Sequence, residues 1–174
     1  MGFDDKAVEA LRSLRETWSR HSPGLKLLLI GLGQANEFSS VPSLATATEW
    51  VSLTPFVPVR HIQRSRTGKP RVDAETGIIR GSPAHDLRRL IVENGKLAPV
   101  VIEELDALEL AGRRIRWANF QRERRYGKGT GIVTRNGYGF HLRFHKPITG
   151  PLALGYGSHF GLGLFVPVAS SVNT

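Results

Sequence analysis

The stretch Tyr138-Gly139-Phe140-His141-Leu142-Arg143-Phe144-His145 decides how this chain is read. Apolar and polar residues alternate along it, and successive side chains of a strand point to opposite faces. Leu142 and Phe144 therefore share one face, while His141, Arg143 and His145 share the other. A face of that polarity is too costly to bury and must meet solvent or a ligand. The pattern is that of an antiparallel sheet covered on one side only.

Working outward, Gly150 to Gly163 is glycine-rich and Leu164 to Val168 reads as a last strand. Upstream, Asn136-Gly137 is a two-residue hairpin signal, and Tyr126 to Gly131 is a glycine-rich loop. Val100 to Leu108 and Arg114 to Gln121 read as a hairpin joined around Ala111-Gly112. Ser82-Pro83 opens a helix that runs to about Glu93, with Leu87, Leu90 and Ile91 as its apolar stripe, because proline suits the first helical position. Asn94-Gly95 closes it. Trp50 to Arg60 is strand-like, with Pro55 and Pro58 confining it to an edge or a bulge. Residues 3 to 19 carry Ala7, Val8, Leu11, Leu14 and Trp18 at helical spacing. Leu25 to Leu32 is a buried-strand candidate, and Gln34 to Thr48 is a linker rich in Ser, Thr and Ala. The expected organisation is an appendage over residues 1–48 and a main domain over 49–174. Its expected class is α+β, with helices on one face of an antiparallel sheet. A ferredoxin-like, RRM-like βαββαβ order is the economical version.

The 174 residues suit about one domain, and 40 % of them are apolar, which is enough for a core. Lys and Arg number 24 against 15 Asp and Glu, a net charge of +9. The charge is clumped. Arg60, Arg64, Arg66, Lys69 and Arg71 form one group with no acid among them. Arg113, Arg114, Arg116, Arg122, Arg124, Arg125 and Lys128 form another, with only Glu123 opposing. Guanidinium grips phosphate oxygens in a bidentate way, so two Arg-dominated clumps favour a polyanionic partner, nucleic acid first. Between them lie Glu103, Glu104, Asp106 and Glu109. The absence of cysteine removes disulfides, thiolate catalysis and Cys-ligated zinc,. The charged first twenty residues are unlike a secretory signal, and no apolar run approaches the ~20 residues of a membrane span. A cytoplasmic protein without a membrane partner is expected.

Within Gly150 to Gly163, Gly155, Gly157, Gly161 and Gly163 interleave Tyr156, His159, Phe160 and Leu162. Backbone N–H groups left open by glycine can form an anion nest, and the rings can stack on bases. A tight turn between packed elements is the competing reading.

This G-x-G-x-x-x-G-x-G loop before the last strand resembles the signature of the CRISPR-associated RAMP superfamily. Three segments resemble, more closely, the C-terminal half of the fused processing subunit of type I-U (I-G) systems. They are Trp50 to Arg60 leading into His61, Trp117-Ala118-Asn119-Phe120 before its Arg cluster, and Gly150 to Pro167. The likeness covers roughly residues 50 to 168, and the glycine spacing is shorter than in stand-alone relatives. It implies a ferredoxin-type fold and metal-independent cleavage of CRISPR repeat RNA, the guide precursor, with no cofactor. A ribose 2′-OH attacks the adjacent phosphate, leaving a 2′,3′-cyclic phosphate and a 5′-OH. The implied partners are that RNA and the effector-complex subunits, including an N-terminal half of the fusion that this chain is expected to lack.

Such chemistry needs a base, an acid and cations for the phosphorane charge, and histidine suits either proton role. His61, opening the Arg-rich loop after the first strand, ranks first. His159 in the glycine loop is second, and His85 in the first helical turn is third. His141 and Arg143, with His145, are read as RNA contacts on the polar strand face, and Tyr156 as a stacking or ribose-orienting residue. Arg60, Arg64, Arg66 and Lys69, and on the second clump Arg122, Arg124, Arg125 and Lys128, are read as phosphate contacts, with Arg60, Arg64 and Lys69 also candidates to stabilise the phosphorane. Gly155, Gly157, Gly161 and Gly163 are expected to let the RNA backbone approach. The rival reading is a non-catalytic RNA-binding subunit of an effector complex. A ribosome- or DNA-associated basic domain explains the charge but not the glycine loop.

Other motifs fail on spacing. Leu27 to Asn36 imitates a dinucleotide fingerprint but has Asn36 in place of its third glycine,. Gly127 to Gly131 lacks phosphate-loop spacing, and Gly157 to Gly161 misplaces serine for a nucleophile elbow. His141 and His145 have helical zinc spacing but fall in a strand pattern.

Overall fold

The computed structural model describes residues 4–17, 23–38, 40–110, 112–126 and 131–168. It divides into two compact units, residues 1–37 and 38–174.

In the first unit, helix α1 (Asp5–Ser13) is capped by the Asp4 carboxylate, which accepts from the Lys6 N–H at 3.1 Å. The helix is shorter than its periodicity predicts. Leu14 is already extended, and residues 15–17 pair instead with 25–27 through Leu27 N–H to Arg15 C=O and Thr17 N–H to Leu25 C=O. Those ladder bonds take the backbone groups a longer helix would use. The buried strand expected at 25–32 is not formed. Only Lys26 bridges, to Glu16, and Leu28 and Ile30 are 80 % and 88 % exposed. Among the described residues of this unit the run has one short neighbour to pair with and no second layer to cover it.

The second unit contains, in chain order, β1 (Thr46–Ser52), α2 (Pro83–Glu93), β2 (Val101–Leu105), β3 (Ala107–Leu110), β4 (Arg113–Arg116), β5 (Gln121–Tyr126), β6 (Gly131–Asn136), β7 (Gly139–Thr149), β8 (Leu152–Ala153) and β9 (Leu164–Pro167). Five strands form one antiparallel sheet in the order β2-β7-β1-β9-β8. The architecture is therefore α+β. Strand β7 carries the alternation through: Phe140, Leu142 and Phe144 are buried, while Arg143 and His145 are exposed. Those three pack with Trp50, Phe56, Leu87, Ile91, Ile148, Leu152, Leu154 and Phe165 in one core. Helix α2 covers that face because Leu87 and Ile91 lie four apart,. Burying each contributes about 1.5–3 kcal/mol. Its ends are those expected: the Ser82 hydroxyl accepts the His85 N–H, Pro83 follows it, and Asn94 ends the helix.

Several expectations need correction. Strand β1 begins at Thr46, inside the stretch read as linker, and stops at Ser52. Pro55 and Pro58 cannot donate to a ladder, so the strand stops at Ser52 and an isolated bridge follows at Phe56, which exchanges two bonds of 2.8 Å with Tyr138. Asn136-Gly137 does not turn a hairpin. β6 pairs with β5, whereas β7 pairs with β1 and β2, and Gly137 N–H is held by Phe120 C=O at 2.7 Å. The run from Val100 divides at Asp106 into β2, in the main sheet, and β3, which pairs with β4. Asp106 C=O accepts Trp117 N–H at 3.0 Å, fixing the bend.

The connection from β7 to β9 holds no α-helix, contrary to a full βαββαβ order; it consists of β8 and a 3₁₀ turn at Ser158–Phe160. Four glycines in nine residues weigh heavily against helix. Gly163 shows how tightly this segment is built. Its φ is +62°, and an added Cβ would lie 1.8 Å from Leu154 C=O. Gly163→Ala is expected to destabilise the fold by about 2–4 kcal/mol, read as a lowered urea midpoint at unchanged m-value.

Candidate functional site

The chain leaving β1 is stitched to the glycine segment. Leu53 and Thr54 N–H groups donate to Leu164 C=O, and Gly163 N–H donates to Pro55 C=O at 2.8 Å. The Thr54 hydroxyl donates to Gly161 C=O at 2.7 Å and accepts the Leu164 N–H at 2.9 Å. Tyr156 N–H donates to Val57 C=O at 2.8 Å. Gly155, Gly157, Gly161 and Gly163 all adopt positive φ. Fixed in this way, the segment presents His159, Tyr156 and a 90 % exposed Phe160 to solvent.

One residue beyond Val57 the chain enters an open pocket of about 270 Å³, lined by Pro58, Arg60, His61, Ile62, Gly81, Pro83, Asn136 and Tyr138. Its size suits one base or a ribose-phosphate unit rather than a drug-sized ligand. Two close contacts shape it. Gly81 has φ +75°, and a Cβ there would sit 2.0 Å from His61 C=O, so only glycine lets the two strands of the loop approach. The Gly81 N–H also donates to His85 Nδ1 at 3.3 Å. An accepting nitrogen carries no proton, so His85 is engaged by the loop through Nδ1 and is half-buried in the first turn of α2.

The loop is anchored by Asp86. This carboxylate is fully buried; one oxygen accepts the N–H of Val59 at 2.6 Å and of Arg60 at 3.1 Å. The other accepts from Arg89 Nη2 at 2.7 Å and Nε at 3.2 Å, and Arg89 also pairs with Glu93. Burial alone would raise the Asp86 pKa. The hydrogen bonds from Arg89, Arg60 and Val59 outweigh it and hold the pKa below the usual carboxylate range,.

Residues 63–80 form a narrow ribbon rather than a loose loop: Gln63 N–H donates to Arg80 C=O, Arg71 N–H to Gln63 C=O, and Ser65 N–H to Lys69 C=O. Arg64, Arg66, Lys69 and Arg71 are exposed along it, Arg64 donating to Gly68 C=O at 3.0 Å. At its other turn Asp73 accepts the Thr76 N–H and hydroxyl and pairs with Arg80 at 3.1 Å. The Thr76 backbone bond leads the causes that lower the Asp73 pKa.

The structure thus brings Arg60 and His61 to one pocket, seats His85 against its Gly81 wall, and ties the glycine segment to the chain entering it. His141 and Arg143 do not line the pocket. His141 Nε2 lies 3.0 Å from Glu49 and its Nδ1 3.8 Å from Glu103, while Arg143 Nε lies 3.2 Å from Glu49. Both therefore face carboxylates on the side of the sheet opposite the core. Arg122, Arg124 and Arg125 are placed only as backbone of β5, and Lys128 lies outside the described residues. Sequence reasoning missed Gly81, Asp86, Asn136 and Tyr138. An acid in the first turn of a helix reads as a dipole complement, and nothing local says that Asp86 turns inward. Among the described residues no three His, Asp or Glu converge as metal ligands, and no helix is long and apolar enough to cross a membrane.

Chemically, an exposed imidazole beside a guanidinium over an open pocket can move a proton and neutralise phosphate charge. Set against known proteins, the chain matches no family model, no curated protein and no solved structure.

Proposed function

We propose that this chain is a metal-independent endoribonuclease that cleaves CRISPR repeat RNA. The observation that carries this reading is the placement of His61 and Arg60 on one pocket, one residue past the segment to which the glycine loop is stitched. The RNA backbone would lie over the glycine segment, an unpaired base against Phe160 or Tyr156, and the scissile phosphate at the pocket mouth. His61 takes the proton of the attacking 2′-OH as the P–O5′ bond breaks, water returns a proton to the departing 5′-oxygen, Arg60 faces the phosphorane charge, and the ribbon cations hold flanking phosphates. The products are a 2′,3′-cyclic phosphate and a 5′-OH.

The sheet order supports the accompanying fold reading. β1 and β2 are parallel with β7 between them, and β7 and β9 are parallel with β1 between them. Two interleaved split units of this kind make the ferredoxin-like sheet. Here α2 supplies the first crossover and the glycine segment takes the place of the second helix.

The test is incubation of the full chain with end-labelled repeat RNA in excess EDTA. Cleavage that persists, with cyclic-phosphate ends, is expected. Tight binding with the RNA intact would instead make the chain a non-catalytic RNA-binding subunit.

A further inference from the structure

Strand β2 ends the five-stranded sheet, and among the described residues its only strand partner is β7. Its outer edge therefore offers unpaired backbone donors and acceptors, a template that proteins ordinarily blunt or cover. The strand is short and carries Glu103 and Glu104, yet among the described residues no strand covers its outer edge, and Val100 is 44 % and Val101 38 % exposed, with Leu97 nearby 55 % exposed. Val100 and Ile102 also line a groove of about 440 Å³, together with Ala98, Pro99, residues 75, 76 and 78 and Arg88 of α2.

Charge narrows the choice of occupant. The chain carries +9 overall, yet residues 101–110 hold Glu103, Glu104, Asp106 and Glu109 and no Lys or Arg. Glu103 is 65 % exposed at its side chain, and Glu104 is exposed beside it. Partial burial and the neighbouring Asp106 raise the Glu104 pKa, the mark of a carboxylate short of a cationic neighbour. Nucleic acid is repelled from such an edge. A second copy adding β2 to β2 would set carboxylate against carboxylate, which is unfavourable for directly opposed strands.

We propose that the free edge of β2 is a docking site for an extended, basic segment of a partner protein, which adds to the sheet as a sixth strand. Backbone hydrogen bonds to β2 supply the common affinity. An apolar side chain beside Ile102 enters the groove, and on the opposite face of the added strand Lys or Arg side chains meet Glu103,. This site does not rest on the RNA reading, because the basic pocket and the acidic edge act on different ligands.

The probe is a capped heptapeptide alternating Lys and Val, titrated into the ¹⁵N-labelled full chain. Amide shifts and slowed exchange are expected at Val101–Leu105, with saturation. Glu103→Gln, at an exposed position, should weaken binding about two- to fivefold, the size of an exposed ion pair, with changes in the free protein's spectrum confined to β2 and the neighbouring His141. A peptide N-methylated at alternate residues, unable to complete the ladder, should not bind. No saturable shift at β2, equal binding of the N-methylated peptide, or equal binding of a Lys-Gly peptide would each overturn the proposal. Cleavage of RNA in EDTA is a separate readout, so failure of either idea is distinguishable from failure of the other.

Discussion

Asp86→Ala is expected to lower the stability of the fold by about 3–5 kcal/mol, the usual cost of removing one partner from a buried ion pair. The substitution leaves Arg89, only 19 % exposed at its side chain, facing an empty site. It also removes the carboxylate that accepts the Val59 and Arg60 N–H groups and holds the loop against α2. Asp86→Asn keeps the shape and one accepting oxygen, so a smaller loss is expected. The pH dependence follows from the same geometry. The folded pKa lies below the unfolded one, so the stabilisation is present above the unfolded value near ~4 and fades as pH falls through the folded value. Urea midpoints from pH 7 down to pH 2 check this. The wild type should lose stability across the acid limb, and Asp86→Asn should lose less. A flat difference between the two proteins over that range would remove Asp86 from the account.

His61→Ala is expected to slow RNA cleavage by about 10²–10⁴-fold, the usual contribution of a positioned proton-transfer group. Affinity for the same RNA should change little, since phosphate contacts supply most of it. Single-turnover cleavage beside equilibrium binding separates the two effects. A weakened affinity with an unchanged cleavage rate would make His61 a contact rather than a proton carrier. An unchanged rate and affinity would move the role to His159, exposed on the glycine segment, or to His85, whose Nε2 remains after Nδ1 is taken by Gly81.

What the sequence disclosed, and what it hid, follows from how far each cause reaches. α2 and β7 were legible because their causes are local: a serine-proline start, an Asn-Gly end, and strict alternation of Phe140, Leu142 and Phe144 with polar neighbours. The last strand was legible as well, read at Leu164 to Val168 and formed at Leu164–Pro167. The strand at 25–32 was misread because an apolar run shows hydrophobicity without showing whether anything covers it. Asn136-Gly137 was misread because β7 takes its partners, β1 and β2, from far away in sequence, and a turn signal carries no pairing information. At the site, Arg60 and His61 were visible as residue types. The Asp86 clamp and the Gly81 contact were not, since Asp86 of α2 meets Arg60 across 26 residues of sequence and Gly81, just before α2, meets His61 from the far end of the same loop.

The central claim is that the glycine segment and the His61 pocket form one surface for ribonucleotides. The direct measurement is a titration of the ¹⁵N-labelled full chain with repeat RNA carrying 2′-fluoro in place of every 2′-hydroxyl, so that no strand is cut. Amides at Arg60, His61, Ile62 and Gly81 should shift together with those of Tyr156 to Gly163, along one saturation curve. Shifts confined to one of the two segments, or centred on His141 and Arg143 across the sheet, would contradict it.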